Sequence, residues 1–247
     1  MLAKLTAEFV GTAFLLAAVV GSGIMAETLT DDVGLQLLQN AFATAGVLTA
    51  LILALGPASG AHFNPAVTLA ERLMGGIDTP TALSYVGAQI TGGIVGVTAA
   101  NVMFELDPVN LSTKDRSSPN LVFAEAVATL GLLLVIFGVV RSGRPTLAAF
   151  SVGGYIGGAY YFTSSTSFAN PAVTIARTLS DSFAGIKPAS VPGFLVAQLV
   201  ATIVAVYLIG VIYPRRAHNG SGMEGDRVAI DGDRGGDQRR PARRARS

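Results

Sequence analysis

One short segment, present twice, carries most of the chemistry this sequence offers: Asn64-Pro65-Ala66-Val67-Thr68 and Asn170-Pro171-Ala172-Val173-Thr174, 106 positions apart. Asn is a strong helix N-cap, and Pro suits the first helical position because its missing N–H would have no partner there. Each copy therefore predicts a helix start. The cap uses the amide oxygen, which leaves the NH2 groups of Asn64 and Asn170 as donors. Two such starts brought together carry about half a positive charge each. That arrangement repels cations and receives the oxygen of a passing water or alcohol.

A second match joins the first: Ala7-Glu8 and Ala124-Glu125 each open a long apolar run. A glutamate there either stays at headgroup level or turns inward, where its carboxylate accepts hydrogen bonds from exposed backbone N–H groups. No base, nucleophile and metal-ligand set accompanies these carboxylates. There is no cysteine, and the histidines are His62 and His218 alone, so thiolate chemistry and a histidine-rich metal or haem site are excluded. The chain is read as a non-enzyme with no cofactor and no metal.

The elements that must position these residues follow from composition. Of 247 residues 51% are hydrophobic and 13% charged, and the mean hydropathy is +0.54, which identifies a membrane protein in a lipid bilayer. Nine of the 17 basic residues lie beyond residue 213. The remaining body lacks the clustered basic face that nucleic acid requires. Charges are expensive at bilayer depth, so charge-free runs locate the spans: 9–26, 33–70, 79–104, 126–140, 145–176 and 188–214. A crossing needs about 20 apolar residues. The runs 33–70 and 145–176 exceed one crossing and fall short of two, and the surplus in each holds one Asn-Pro-Ala copy.

Each copy thus predicts a half-helix that starts near the midplane, with Pro65 to Gly75 spanning about 16 Å. The connections 56–63 and 163–169 should line a pore, because non-helical backbone survives at that depth only inside protein or beside a watery cavity. The halves, about 1–104 and 119–213, each hold three spans and one half-span. An odd number of spans inverts the second half relative to the first. The fold class is therefore an all-α membrane protein with six transmembrane helices and two re-entrant half-helices in an inverted repeat. Lys4, Arg72, Arg141, Arg144, Arg215 and Arg216 outnumber Lys114, Arg116, Arg177 and Lys187 on the other side, which predicts cytoplasmic termini. Glu8 argues that the first span is retained rather than cleaved as a signal peptide. Gly92/Gly96, Gly153/Gly157 and Gly154/Gly158 are read as close helix packing. The segment 214–247, with nine Arg and five acids, is expected to be a disordered basic cytoplasmic tail.

With Ser59-Gly60-Ala61-His62-Phe63-Asn64-Pro65-Ala66-Val67-Thr68 and its second copy on the page, the chain resembles the aquaporin and aquaglyceroporin family over residues 1–213. The resemblance implies an aquaporin-like channel domain, a homotetramer with one pore per subunit, and the two Asn-Pro-Ala motifs at its centre. It implies that Glu8 and Glu125 support the re-entrant loops and that His62 lines the cytoplasmic part of the pore. Most members carry an arginine directly after the second Asn-Pro-Ala; here that residue is Val173. Counting back without gaps puts the other filter positions at Thr44, Gly158 and Ser167.

That quartet has no ring and no charge, so the expected filter is wide and weakly polar. Arg177, one turn beyond Val173, is expected to cap the outer end of its half-helix; reaching the outer vestibule is the alternative. Valine at 173 resembles the bacterial aquaglyceroporins associated with arsenic resistance. The implied function is a passive channel of the cell inner membrane for glycerol-like polyols, metalloid hydroxides such as arsenite, and water. A mainly water-selective channel and an alternating-access transporter are the competing readings, and the charge-free surroundings of both half-helix starts disfavour the transporter.

Overall fold

The computed structural model describes residues 1–214, and the expectation about the tail concerns residues outside this set apart from Pro214. These residues form one compact unit. The described elements are all helical: α1 (Leu2–Leu29), α2 (Val33–Ser59), α3 (Pro65–Leu73), α4 (Thr79–Met103), α5 (Pro119–Arg141), α6 (Ala148–Phe162), α7 (Pro171–Ala176) and α8 (Val191–Ile212). The order long, long, short, long occurs twice, as the odd-span repeat requires. Packing follows the same symmetry: α1 lies against α2 and α4 as α5 lies against α6 and α8, and each short helix touches α4 and α8.

Among the described residues five helices are long and apolar enough to cross a membrane. The sixth, α6, has 15 residues, but the 3-10 turn Pro145–Leu147 leads straight into it. Together they span about 28 Å, close to the hydrocarbon thickness. The α1–α4 pair comes closest, because Gly92 and Gly96 let the backbones touch. A Cβ on either glycine would collide with the carbonyl oxygen of Phe9 or Ala13. Gly153 faces Thr49 and the Ala45 carbonyl on α2, and Gly157 faces the Ala45 side chain. Gly154 and Gly158 depart from the sequence expectation: both face open space and pack against no helix among the described residues.

The half-helices also differ in detail from the sequence reading. Helix α3 stops at Leu73 and is about 13 Å long, and α7 has six residues before a 3-10 turn, Arg177–Leu179. Helix α2 continues through Pro57 to Ser59. The first non-helical connection is therefore 60–64, not 56–63. Proline removes one backbone donor from the last turn, and neighbouring protein makes that tolerable in a membrane helix.

Candidate functional site

The two connections that precede α3 and α7 share an unusual backbone. Ala61 and Phe63 have φ of 50° and 47°, and their counterparts 106 positions on, Ser167 and Ala169, have 51° and 48°. Non-glycine residues in this left-handed region are strained by about 1 kcal/mol or more, so surrounding contacts must hold them. Those contacts come from the two glutamates, both fully buried.

Glu8 accepts from the backbone N–H of His62 at 3.0 Å and of Phe63 at 2.8 Å, from the Ser59 hydroxyl at 2.6 Å, and from the Gln89 amide at 2.7 Å. Glu125 accepts from Phe168 N at 2.8 Å, Ala169 N at 2.9 Å and the Gln198 amide at 2.8 Å. Each glutamine also donates at 2.9 Å to a half-helix threonine, Gln89 to Thr68 and Gln198 to Thr174. A buried carboxylate is tolerable only with such a complete set of donors. Gln89 and Gln198 escaped the sequence reading. Their signal was a polar side chain deep in an apolar span, which needs a partner.

The asparagines do what their cap positions predict, and something more. Asn64 Oδ1 accepts from Ala66 N at 2.8 Å, and Asn170 Oδ1 from Ala172 N at 3.0 Å and Val173 N at 3.3 Å. Each amide NH2 then reaches across the repeat: Asn64 donates to Ala169 O and Asn170 to Phe63 O, both at 2.8 Å. The sequence reading left both NH2 groups wholly free; the structure takes one N–H of each to tie the half-helix starts together.

A cavity of about 290 Å³ runs past these asparagines, from Glu71, Val140 and Ala148 at one end to Tyr160 and Arg177 at the other. His62, Asn64, Asn170, Thr44, Ser167 and Val173 line it. Pro65, Ala66, Pro171 and Ala172 are buried in the half-helix starts and do not line it, nor do Glu8 and Glu125. His62 is fixed by Thr68 Oγ1 at 3.0 Å from Nδ1 and by an edge contact with Tyr85.

Gly158 needs correction. It is exposed on the outside of α6, and Tyr160 occupies the place that gap-free counting assigned to it. The Tyr160 hydroxyl meets Thr44 Oγ1 at 3.1 Å. The counted position thus falls on the outer face of α6, two residues before the one that lines the cavity.

Arg177 stands at the C-cap of α7, and its side chain also reaches the cavity wall. It folds inward, 1% exposed, with Nε donating to Ala184 O and the guanidinium 3.5 Å from the Phe168 ring centroid. Arg116, from the connection before α5, lies 5.0 Å from the same ring. It donates from Nε to Gly185 O at 2.9 Å and from Nη1 to Ser165 O at 3.1 Å. Burial pushes Arg116 down to about 10, so it remains charged at neutral pH. Lys114 falls to about 8, first from loss of water and then from the Arg116 and Arg177 charges. Its ammonium donates to Phe183 O at 2.8 Å.

Comparison with known proteins agrees with this architecture. Residues 1–160 match the family described as major intrinsic protein. The chain is 46% identical over 206 residues to the aquaglyceroporin AqpS of Rhizobium meliloti, covering 83% of this chain and 88% of that protein. It is 32% identical over 155 residues to the probable aquaporin NIP4-2 of Arabidopsis thaliana, covering 61% and 54%. The solved aquaglyceroporin from Plasmodium falciparum superposes with a TM-score of 0.61 at 21% identity, covering 87% of this chain and 96% of that one, and so shares the fold. The chain belongs to the major intrinsic protein family: it is a multi-pass membrane protein that forms a passive channel for water and small solutes, and it is not an enzyme.

Proposed function

We propose that the channel passes small uncharged hydroxylated solutes, namely glycerol-like polyols, metalloid hydroxides such as arsenite, and water. The observation that carries this reading is Val173 on the cavity wall, directly after the second Asn-Pro-Ala, with the short side chains of Thr44 and Ser167 lining the same cavity. A valine here projects no donor and no charge into the path. Solute hydroxyls then meet a weakly polar ring, followed by the remaining N–H of Asn64 and of Asn170. Arsenite enters through the resemblance of the Val173 signature to arsenic-associated aquaglyceroporins. Glu8 and Glu125 act as loop supports in this scheme and His62 as a wall residue toward the cytoplasm.

The same reading places both termini in the cytoplasm of an inner-membrane protein, divides the channel domain 1–213 into inverted halves, and assembles a homotetramer. The filter comprises Thr44, Tyr160, Ser167 and Val173, with Arg177 at its outer side. Tyr160 favours the second reading, a mainly water-selective pore, because its ring takes space that glycine would leave open. Stopped-flow light scattering of proteoliposomes under separate water, glycerol and arsenite gradients decides between them. Fast, unsaturable glycerol and arsenite uptake above empty vesicles is expected. Fast water with excluded glycerol establishes the water-selective pore, and a plateau at low solute concentration establishes a carrier.

A further inference from the structure

The two arginines around Phe168 are buried without a directly paired carboxylate among the described residues. Arg177 is 1% exposed and Arg116 6%. Between them they carry ten N–H donors, and their three hydrogen bonds all go to backbone carbonyls: Ala184, Gly185 and Ser165. Among the described residues neither donates to a carboxylate. Glu125 supplies one negative charge nearby, but its oxygens already serve Phe168 N, Ala169 N and Gln198. Lys114 adds positive charge at the rim, while Asp181 and Glu27 are engaged by Thr113 and by Phe183 N. These three cations and three carboxylates balance in number, yet none of the carboxylates accepts a hydrogen bond from either arginine.

Two further observations point to a ligand. Among the described residues the side chain of Arg177 donates from Nε alone, which leaves Nη1 and Nη2 without a hydrogen bond there, and the side chain lines the cavity. Ser167, 3% exposed and lining the same cavity, has a buried hydroxyl with no partner among the described residues. A guanidinium edge matches two coplanar oxygens, and guanidinium is weakly hydrated, as is the apolar wall beside it. At the opposite end the cavity meets the carboxylate of Glu71.

We propose that the Arg177 end of the cavity is a binding site for a small planar monovalent oxyanion, of the nitrate, bicarbonate or formate class. The Nη1/Nη2 edge of Arg177 receives it, Ser167 Oγ donates to it, and Arg116 adds charge. Glu71 repels the anion from the far end, so it occupies the channel without crossing and slows flux. This goes beyond the reading of the neutral substrates, and the readout is kept independent of them by following water.

The test is sucrose-driven water flow in proteoliposomes while nitrate replaces chloride at constant ionic strength. The rate is expected to fall saturably, by about half at the dissociation constant if an occupied pore is closed, with nitrate uptake at the level of empty vesicles. Arg177→Lys keeps the charge but loses the fork, and should remove the difference between nitrate and chloride. Ser167→Ala, which leaves both arginines, should shift the nitrate midpoint upward severalfold. Equal water flow in nitrate and chloride overturns the site. Retention of the nitrate effect in Arg177→Lys overturns its assignment to the Arg177 fork, and nitrate uptake above empty vesicles overturns the block.

Discussion

Replacing Glu125 by glutamine tests how far one buried carboxylate holds the second re-entrant connection. The substitution preserves shape, but an amide offers one acceptor oxygen where the carboxylate offers two. Oε1 accepts from Phe168 N, and Oε2 from Ala169 N and the Gln198 amide. Whichever way the new amide turns, its NH2 faces at least one backbone N–H, which is then orphaned in a fully buried site. An orphaned buried donor costs about 1–3 kcal/mol, and exchanging charge-assisted bonds for neutral ones about 1 kcal/mol more. The charge of Arg116 and Arg177 loses its nearby compensation as well. A total of about 3 kcal/mol corresponds to a fall in Tm of roughly 6–12 °C for a chain of this size. The chain has no cysteine or tryptophan, so melting is best followed by helical circular dichroism and by the fraction surviving size exclusion after heating. Glu8→Gln should cost more, because Glu8 accepts four bonds. A Glu125→Gln protein with unchanged Tm and unchanged flux would refute the reasoning.

Three other outcomes are expected. Val173→Arg places a long cation against the cavity wall and should lower glycerol permeability relative to water severalfold; an unchanged ratio in a protein of normal Tm counts against the filter assignment. Gly96→Val drives a side chain into the Ala13 carbonyl of α1 and should abolish recovery of folded protein, whereas Gly154→Val, facing open space, should be recovered with normal flux in the monomeric unit. Lys114, held at about 8 against an ordinary 10.5, binds fewer protons folded than unfolded between those values. Stability should therefore rise with pH across that window, and Lys114→Gln should flatten the rise in Tm measured from pH 8 to 10.

Much of the architecture was legible before any coordinates. Charge-free runs revealed the spans because lipid tolerates few charges, and the doubled Asn-Pro-Ala segment revealed both half-helices because cap chemistry is local. The odd number of spans per half then required the inverted repeat. The boundaries that shifted, the end of α2 at Ser59 and of α3 at Leu73, are places where neighbouring protein decides whether a proline or a glycine ends a helix.

The cavity wall was less legible, and the reason is physical. Local sequence determined that Asn64 and Asn170 start helices; only the meeting of the two halves decided that each amide donates to the opposite connection. Thr44, Ser167 and Val173 lie on the wall at their counted positions, whereas which face of α6 meets the cavity, Tyr160 inside and Gly158 outside, is decided only when α6 packs against α2 and α5. Arg177 read as a half-helix cap or a vestibule cation, with no sign of its burial, because a lone arginine carries no trace of its partners. Phe168, Ala184 and Arg116 come from separate connections, and the interactions that make a buried guanidinium tolerable exist only once these connections are folded together.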